Sequence, residues 1–220
     1  LGIAEFLRRN GRPQEALKWA KDGVFVFEDN PDVRLTLACV DLLDEAGERG
    51  EAEQMLWKGF ASQPSGQIYS ALASRFRPRR TMTDRAVALL EERLARPSPS
   101  ARRDYLIKPL MLEILTDEKR FTEAWSFVAR HNIALTSPDV GRLADKSADQ
   151  NPDEAVKVWR MRIEELAGLG GNGNYVEAHA LTLRAAKLAS RSGQQTGHAA
   201  FVADLLTRHK MKRNFVKLFS

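Results

Sequence analysis

One small residue returns at a near-regular interval along the chain, and this interval constrains the fold more than any other feature. The residue is alanine, spaced by 36, 34, 38, 31 and 23 positions and found each time early in an amphipathic stretch. Glutamate precedes it in five of six cases, and glycine lies five positions earlier in three. A period of roughly 35 residues built from two helices is typical of stacked helical hairpins. The alanines are Ala16, Ala52, Ala86, Ala124, Ala155 and Ala178, and the glycines are Gly11, Gly47 and Gly173.

The recurrence of alanine has a packing explanation. Two helices approach to about 8–10 Å only where the side chains at their crossing are small. Helix propensity alone would favour alanine but would not explain the period. Gly23 and Gly59 each follow their alanine by seven residues and are expected to permit an equally close approach by the next hairpin. The wider gaps are expected to be filled by Trp19, Trp57, Trp125 and Trp159.

The hydrophobic pattern predicts helices throughout, because no stretch alternates convincingly between apolar and polar residues. We therefore expect an all-α fold, an α–α superhelix of about 12 helices built as a solenoid of helical hairpins. The whole chain, 1–220, is expected to form one repeat domain. Its hairpin units are predicted at about 1–29, 30–63, 64–96, 98–132, 137–167 and 175–210, with a C-terminal cap at 211–220.

Punctuating residues give local expectations. Asn30-Pro31 and the segment 97–100 are predicted to open helices, and 168–174 to be a flexible turn. The arginine-rich segment 77–82 is predicted to be a loop, with Thr83 capping the helix after it. Pro109 lies inside a helix predicted over about 101–116, where proline should kink or break it.

Charge is unevenly distributed. The formal net charge is +5, and residues 206–220 carry five cations and no acid, so everything before them balances to zero. A second basic group surrounds residues 75–80. In the C-terminal segment, the cations could bind a phosphate backbone while Phe215 and Phe219 stack on bases. Alternatively, this segment is a terminal cap and the arginine-rich segment 75–80 is a solvated linker. The candidate contacts to an anionic partner are Arg75, Arg77, Arg79, Arg80, Lys210, Lys212, Arg213 and Lys217.

Composition also bounds the compartment. The chain has one cysteine, so it cannot hold an internal disulfide, and a reducing, cytoplasmic location is expected. No apolar stretch approaches the roughly 18 residues that a membrane span needs. Because the sequence starts at Leu1 without methionine or a signal-peptide pattern, we expect a fragment of a longer protein.

The Gly-x4-Ala pattern at 11–16 and 47–52, with a proline near the end of each hairpin (Pro31, Pro64, Pro97), resembles tetratricopeptide repeats. It lacks their tryptophan and leucine in the first helix of each unit. Residues 11–20 (GRPQEALKWA) with Gly23 and 30–35 (NPDVRL), and residues 175–178 (YVEA) with 208–215 (RHKMKRNF), resemble the helical C-terminal region of bacterial SWIM zinc-finger proteins and their uncharacterised relatives. The finger itself needs Cys-x-Cys and Cys-x-His, which are absent from this sequence. The resemblance implies a scaffold region of unknown partner.

No motif indicates catalysis, a cofactor or a metal. Gly168, Gly170 and Gly173 match a dinucleotide fingerprint literally, but that motif must follow a strand, and in this chain it follows a predicted helix. His131, His179, His198 and His209 lack metal-ligand spacing. His198 and His209 are expected to be partly buried or at a helix end, and Cys39 to be a buried inert thiol.

The sequence therefore favours a non-enzymatic protein-interaction scaffold that presents a curved helical-repeat surface to a protein or peptide, with no small-molecule substrate and no membrane. The alternative is a nucleic-acid-associated module that uses the basic C-terminal segment and the arginine-rich segment 75–80.

Overall fold

The computed structural model describes residues 1–26, 32–96 and 106–219. Within these ranges every regular element is helical, so the all-α prediction is confirmed. The predictions for Asn30-Pro31 and for 97–100 lie outside the described residues. The helices are α1 (Gly2–Arg9), α2 (Pro13–Val26), α3 (Val33–Glu45), α4 (Arg49–Ser62), α5 (Gly66–Arg75), α6 (Arg79–Ala95), α7 (Ile107–Asp117), α8 (Phe121–Arg130), α9 (Pro138–Ser147), α10 (Pro152–Leu169), α11 (Asn172–Arg191), α12 (Gln195–Arg208) and α13 (Arg213–Val216), followed by a 3-10 turn (Lys217–Phe219).

The chain divides into two compact units, Leu1–Ile114 and Leu115–Ser220, with the boundary inside α7. In the first unit each helix from α1 to α6 packs on the next, and α3 also contacts α5. In the second unit α8 to α12 pack in the same sequential way, and α13 and the final turn pack on α11. A single repeat domain over 1–220 stays a prediction.

All six recurring alanines lie in the interior. Ala16, Ala52, Ala86, Ala124, Ala155 and Ala178 are each 0% exposed. An alanine methyl that is fully covered marks a place where a neighbouring backbone comes close, because little side chain is available to separate the helices. The periodic alanine is therefore buried, as the packing explanation requires, and its position at the tightest helix contacts stays a prediction.

The glycine and the alanine of each early repeat are two ends of one turn. Gly11 has φ +71°, in the left-handed region where glycine is favoured. Past it, the Arg12 N–H donates to the Leu7 carbonyl (3.0 Å), which satisfies one of the last free carbonyls of α1. The Arg12 carbonyl then accepts the Ala16 N–H (3.0 Å) and starts α2. Gly47 repeats this geometry with φ +79°.

Two further turns of this kind do not show in the glycine-alanine pattern. Lys119 has φ +58° and lies five residues before Ala124. Gly193, with φ +75°, lies five residues before His198. The Arg120 N–H donates to the Leu115 carbonyl and the Gln194 N–H to the Ala189 carbonyl, each at 2.8 Å. Gly173, by contrast, lies inside α11, so its place in the pattern is coincidental. The turn predicted over 168–174 shrinks to Gly170 and Gly171, both at positive φ.

Two predictions about the helix ends are wrong. The segment 77–82 is not a loop, because α6 already begins at Arg79. Thr83 is consequently a buried helix residue instead of a cap, and its hydroxyl lies 2.9 Å from the Tyr69 hydroxyl. Pro109 does not kink α7, because the helix begins at Ile107. Proline in the first helical turn loses no hydrogen bond, since the N–H groups there have no intrahelical acceptor.

The glycine and tryptophan predictions hold in part. A Cβ on Gly23 would come within 3.0 Å of the Leu35 side chain, and one on Gly59 would come within 3.4 Å of Ile68 and Thr36. A methyl at Gly23 would therefore require the Leu35 side chain to shift, whereas a methyl at Gly59 would fit at the short end of ordinary contact distance. The tryptophans at 57, 125 and 159 are buried, but Trp19 is 53% exposed. The buried stripe of α2 runs through Ala16, Leu17 and Ala20 and leaves Trp19 at its border.

Candidate partner-binding grooves

Arg75, the first of the predicted anion contacts, is engaged inside the first unit. It is the last residue of α5, and its guanidinium donates to Asp41 and to Asp44 on α3, each at 2.6 Å. Burial disfavours its charge, but these two hydrogen bonds outweigh burial and raise the pKa of Arg75. Arg75 thus ties α5 to α3, and its charge is neutralised within the protein.

The other arginines of this group lie around the start of α6. Arg77, Arg79 and Arg80 are exposed, and Pro78 occupies the N-cap position without a side-chain cap. Cations in a first helical turn face the positive end of the helix dipole, which destabilises that end of the helix slightly. The role of these three residues as contacts to an anionic partner stays a prediction.

The central part of the basic C-terminal segment, Lys212 and Phe215, packs on the ends of α10 and α11. The Lys212 ammonium donates to the Ala167 and Gly168 carbonyls at the end of α10, at 2.5 and 3.0 Å. Phe215 is fully buried and packs on the Tyr175 ring, with centroids 5.2 Å apart. A buried ring cannot stack on a nucleobase, so the structure favours the capping alternative for Phe215. The exposed cations of this segment are Lys210, Arg213, Lys217 and Arg208, and Arg208 is ion-paired with Glu164 and Asp204.

The other titratable candidates lack a catalytic or metal-binding setting. Cys39 is fully buried, and burial raises the pKa of its thiol to about 11, so it is not a nucleophile at neutral pH. Burial also lowers the pKa of His209, with Lys212 and Arg208 adding to the effect. Across 1–26, 32–96 and 106–219, no three His, Cys, Asp or Glu side chains come together in a way that could hold a metal ion.

The first unit contains a groove of about 470 Å³ across α2, α3 and α4, which we call the Phe25 groove. Phe25 and Met55 give it apolar walls, and Phe25 is 74% exposed. Lys21 and Glu51 face each other at its rim at 2.7 Å, and this hydrogen bond lowers the pKa of Glu51. The groove is lined by Lys21, Asp22, Val24, Phe25, Thr36, Glu51, Gln54, Met55, Lys58, Gly59 and Ser62.

A larger groove, about 810 Å³, crosses α9, α10 and α11 in the second unit. Charged side chains in this groove already form ion pairs and hydrogen bonds within the protein. Arg184 lies over the Trp159 ring, 4.2 Å from the centroid, and donates to Asp145 at 2.6 Å. The Trp159 indole N–H also donates to Asp145, at 3.1 Å. A partner entering this groove would have to break these contacts, so it is the weaker candidate.

A third groove, about 680 Å³, lies between α11, α12 and the final turn, and we call it the His198 groove. Its lining is largely apolar, and Leu183 is 59% exposed at its edge. His198 and Thr182 are buried polar residues in its lining, each 4% exposed. Burial lowers the pKa of His198, and the nearby Arg160 charge lowers it further, so the imidazole is neutral at pH 7.

Neither apolar groove was predicted from the sequence. The sequence signal for the first was Phe25 itself, an apolar residue out of phase with the helical stripe of Ala16, Ala20 and Val24. The signal for the second was the glycine five residues before His198, which places a histidine where the other repeats have alanine.

The described helices include none with the length and apolar character of a membrane span. No known protein family matches the sequence, and neither does any curated protein. Among solved structures, the crystal structure of PilW, a widely conserved type IV pilus biogenesis factor, matches over 100% of this chain and 96% of that one, with 14% identity and a TM-score of 0.39. A similarity of this degree carries no inference about fold or function.

Proposed function

We propose that this chain is a non-enzymatic scaffold that binds a protein segment in the Phe25 groove. Helical hairpins packed in sequence expose grooves between neighbouring helices, and such grooves accept extended or helical peptides. Charged groups in two of the described grooves form ion pairs, Lys21 with Glu51 and Arg184 with Asp145.

The observation that carries the proposal is the exposed Phe25 ring beside Met55. A large aromatic side chain left in water gives up roughly 1.5–3 kcal/mol that burial would provide. An apolar wall inside a polar-rimmed concave surface is a common mark of a protein interaction site. Lys21 and Lys58 are balanced by Asp22 and Glu51 around it, which suits an amphipathic segment better than a polyanion.

The test is site-specific photocrosslinking from Gln54, an exposed groove residue, in the full chain. Ala61 is also exposed on the same helix and does not line the groove, so a crosslinker there is the matched control. We expect reproducible protein adducts from position 54 and few from 61.

A second pair of variants tests whether the Phe25 side chain contributes to binding. F25A should reduce the adducts by about tenfold, which corresponds to about 1.4 kcal/mol of lost contact. V26A should leave them unchanged, because Val26 is 71% exposed but does not line the groove. Equal adducts from both crosslinker positions, or equal loss with both variants, would refute the proposal.

Measuring DNA and RNA binding as a function of salt concentration distinguishes the nucleic-acid alternative from the scaffold proposal. Phosphate contacts must weaken steeply with salt, so an absence of DNA or RNA binding at low salt eliminates it. Arg75 and Lys212 already form hydrogen bonds within the protein, which counts against the alternative at these two positions. The relation to bacterial SWIM zinc-finger proteins and a cytoplasmic location stay predictions.

A further inference from the structure

The Phe25 groove contains one charged side chain that the described part of the chain leaves unpaired. The charges of its lining balance formally, but they are not all paired with one another. Lys21 donates to Glu51 at 2.7 Å, and Lys58 has a partner of its own. The exposed Asp22 carboxylate forms no hydrogen bond or ion pair with the described residues, and Lys18, one turn earlier on α2, does not pair with it. The unmatched charge of the lining is therefore negative.

An exposed aromatic ring lies next to this carboxylate. Phe25 follows Asp22 by three residues on α2, so the two side chains are neighbours on the helix surface, and both line the groove. The Phe25 side chain is 74% exposed. A cation is attracted to the face of an aromatic ring, and a carboxylate beside the ring can accept hydrogen bonds from the same cation. The pair is thus suited to a cationic group of a partner.

The second unit contains a complete arrangement of this type. Arg184 lies over the Trp159 ring, 4.2 Å from the centroid, and donates to Asp145 at 2.6 Å. All three members of that arrangement come from within the chain. At Phe25 and Asp22 the ring and the carboxylate are present, but no lysine or arginine of the described ranges lies over the ring. The missing member is a guanidinium, which a partner can supply.

The rest of the lining defines what accompanies the cation. Beyond the charged residues and the aromatic ring, it consists largely of small and apolar residues, among them Val24, Thr36, Met55 and Gly59. A methionine side chain is flexible and adapts to apolar groups of different shape. An apolar side chain of the partner therefore fits beside the cation, whereas a partner carboxylate would be repelled by the unpaired acid.

We propose that the Phe25 groove selects a segment of a protein partner that carries an arginine next to apolar residues. The guanidinium lies over the Phe25 ring and donates to the Asp22 carboxylate, while an apolar neighbour contacts Met55. Arginine is favoured over lysine because its planar guanidinium stacks on a ring and donates to a carboxylate at the same time. This inference rests on the proposed scaffold function and names the chemistry of the segment bound at its site.

A peptide library tests the ligand chemistry without assuming a sequence. Displayed random peptides of about 12 residues are selected on the full chain and depleted on the F25A chain. We expect the peptides that bind the parent chain alone to share an arginine next to apolar residues. Peptides that share acidic residues or no cation would overturn the inference, and so would a selection that yields no peptide sensitive to F25A.

The Asp22 carboxylate is tested with the tightest selected peptide and a counterpart in which citrulline, a neutral isostere, replaces the shared arginine. Fluorescence anisotropy measures the binding of both peptides to the full chain. We expect the arginine peptide to bind at least about tenfold more tightly, because hydrogen bonds to charged groups are among the stronger ones. D22N should reduce this preference to about threefold. E5Q makes the same change in net charge and should preserve the preference, because Glu5 is exposed on α1 and does not line the groove.

The Phe25 ring is tested by F25L, which keeps an apolar side chain but removes the aromatic face. F25L should weaken the arginine peptide about threefold more than the citrulline peptide, as the loss of a cation–π contact requires. V26A should change neither affinity, because Val26 is 71% exposed and does not line the groove. Equal losses for the two peptides in F25L would show that the ring makes only apolar contacts and would overturn its assignment to the guanidinium.

The two proposals fail in different ways. If adducts from Gln54 are lost in F25A but D22N keeps the same preference for arginine as E5Q does, this inference fails and the scaffold function stands. If a crosslinker at Gln54 gives no more adducts than one at Ala61, the scaffold function fails at this groove, and this inference fails with it.

Discussion

Enlarging one recurring alanine tests the packing argument directly. Ala52 lies early in α4, is 0% exposed, and is one end of the turn that begins at Gly47. Leucine at this position adds three carbon atoms to a contact that has no free surface. The helix pair must separate or the new side chain must adopt a strained rotamer, and overpacking of this kind costs about 1–3 kcal/mol.

The same helix provides the control. Ala61 is exposed in α4, so A61L adds the same atoms to the same element without crowding it. Exposed substitutions of this sort usually change stability by less than about 0.5 kcal/mol. The difference between the two variants therefore isolates the contact from any change in helix propensity.

Urea unfolding followed by far-ultraviolet circular dichroism measures the difference. With a slope of about 2 kcal/mol per molar urea, a loss of about 2 kcal/mol lowers the midpoint by about 1 M. A52L should show this shift with an unchanged slope, and A61L should match the parent chain. If the two variants unfold at the same midpoint, position 52 is not a tight contact, and close helix packing does not account for the alanine period.

Three other predictions concern single side chains. G59A should raise the unfolding midpoint by the equivalent of about 0.5–1 kcal/mol, because Gly59 lies inside α4 and its added methyl would meet Ile68 at ordinary contact distance. G11A should lower it by about 1–2 kcal/mol, because φ is +71° there. An opposite sign in either urea curve would contradict the geometry. Because the folded chain lowers the pKa of His198 through burial and Arg160, the unfolded chain takes up a proton first as pH falls. The contribution of the neutral His198 ring to the free energy of unfolding is therefore fully present above the usual histidine pKa of 6.5 and is lost as pH falls below it. H198A should make the decline of the free energy of unfolding between about pH 7 and 5 shallower. If the free energies of the parent chain and H198A fall in parallel with pH, His198 does not cause the decline.

Much of the fold could be predicted from sequence because its determinants are local. Ser137-Pro138 and Asn151-Pro152 mark the starts of α9 and α10, and the helical periodicity of the apolar residues needs no distant information. The alanine period extends this local information to packing, since it tells which face of each helix must lie close to another.

The turns show where local information ends. Gly11 and Gly47 announce a positive φ, but Lys119 adopts the same conformation at φ +58° and carries no sign of it in the sequence. Gly173 has the right spacing and is an ordinary helix residue. A residue's backbone conformation at a turn depends on the hydrogen bonds that the surrounding helices make available, and spacing alone does not specify these.

By itself, the sequence determined that this protein consists of amphipathic helices in contact at small residues, because both properties depend on neighbours within a few turns of the chain. Only the tertiary structure decided which polar groups have partners. Arg75 looked available until Asp41 and Asp44, more than 30 positions earlier, proved to hold it. His198 is a buried histidine, as expected, but only the structure places the Thr182 backbone and the Arg160 charge beside its ring. Whether a charge or a ring nitrogen is satisfied depends on side chains that folding brings together from distant positions, and no periodicity in the sequence records it.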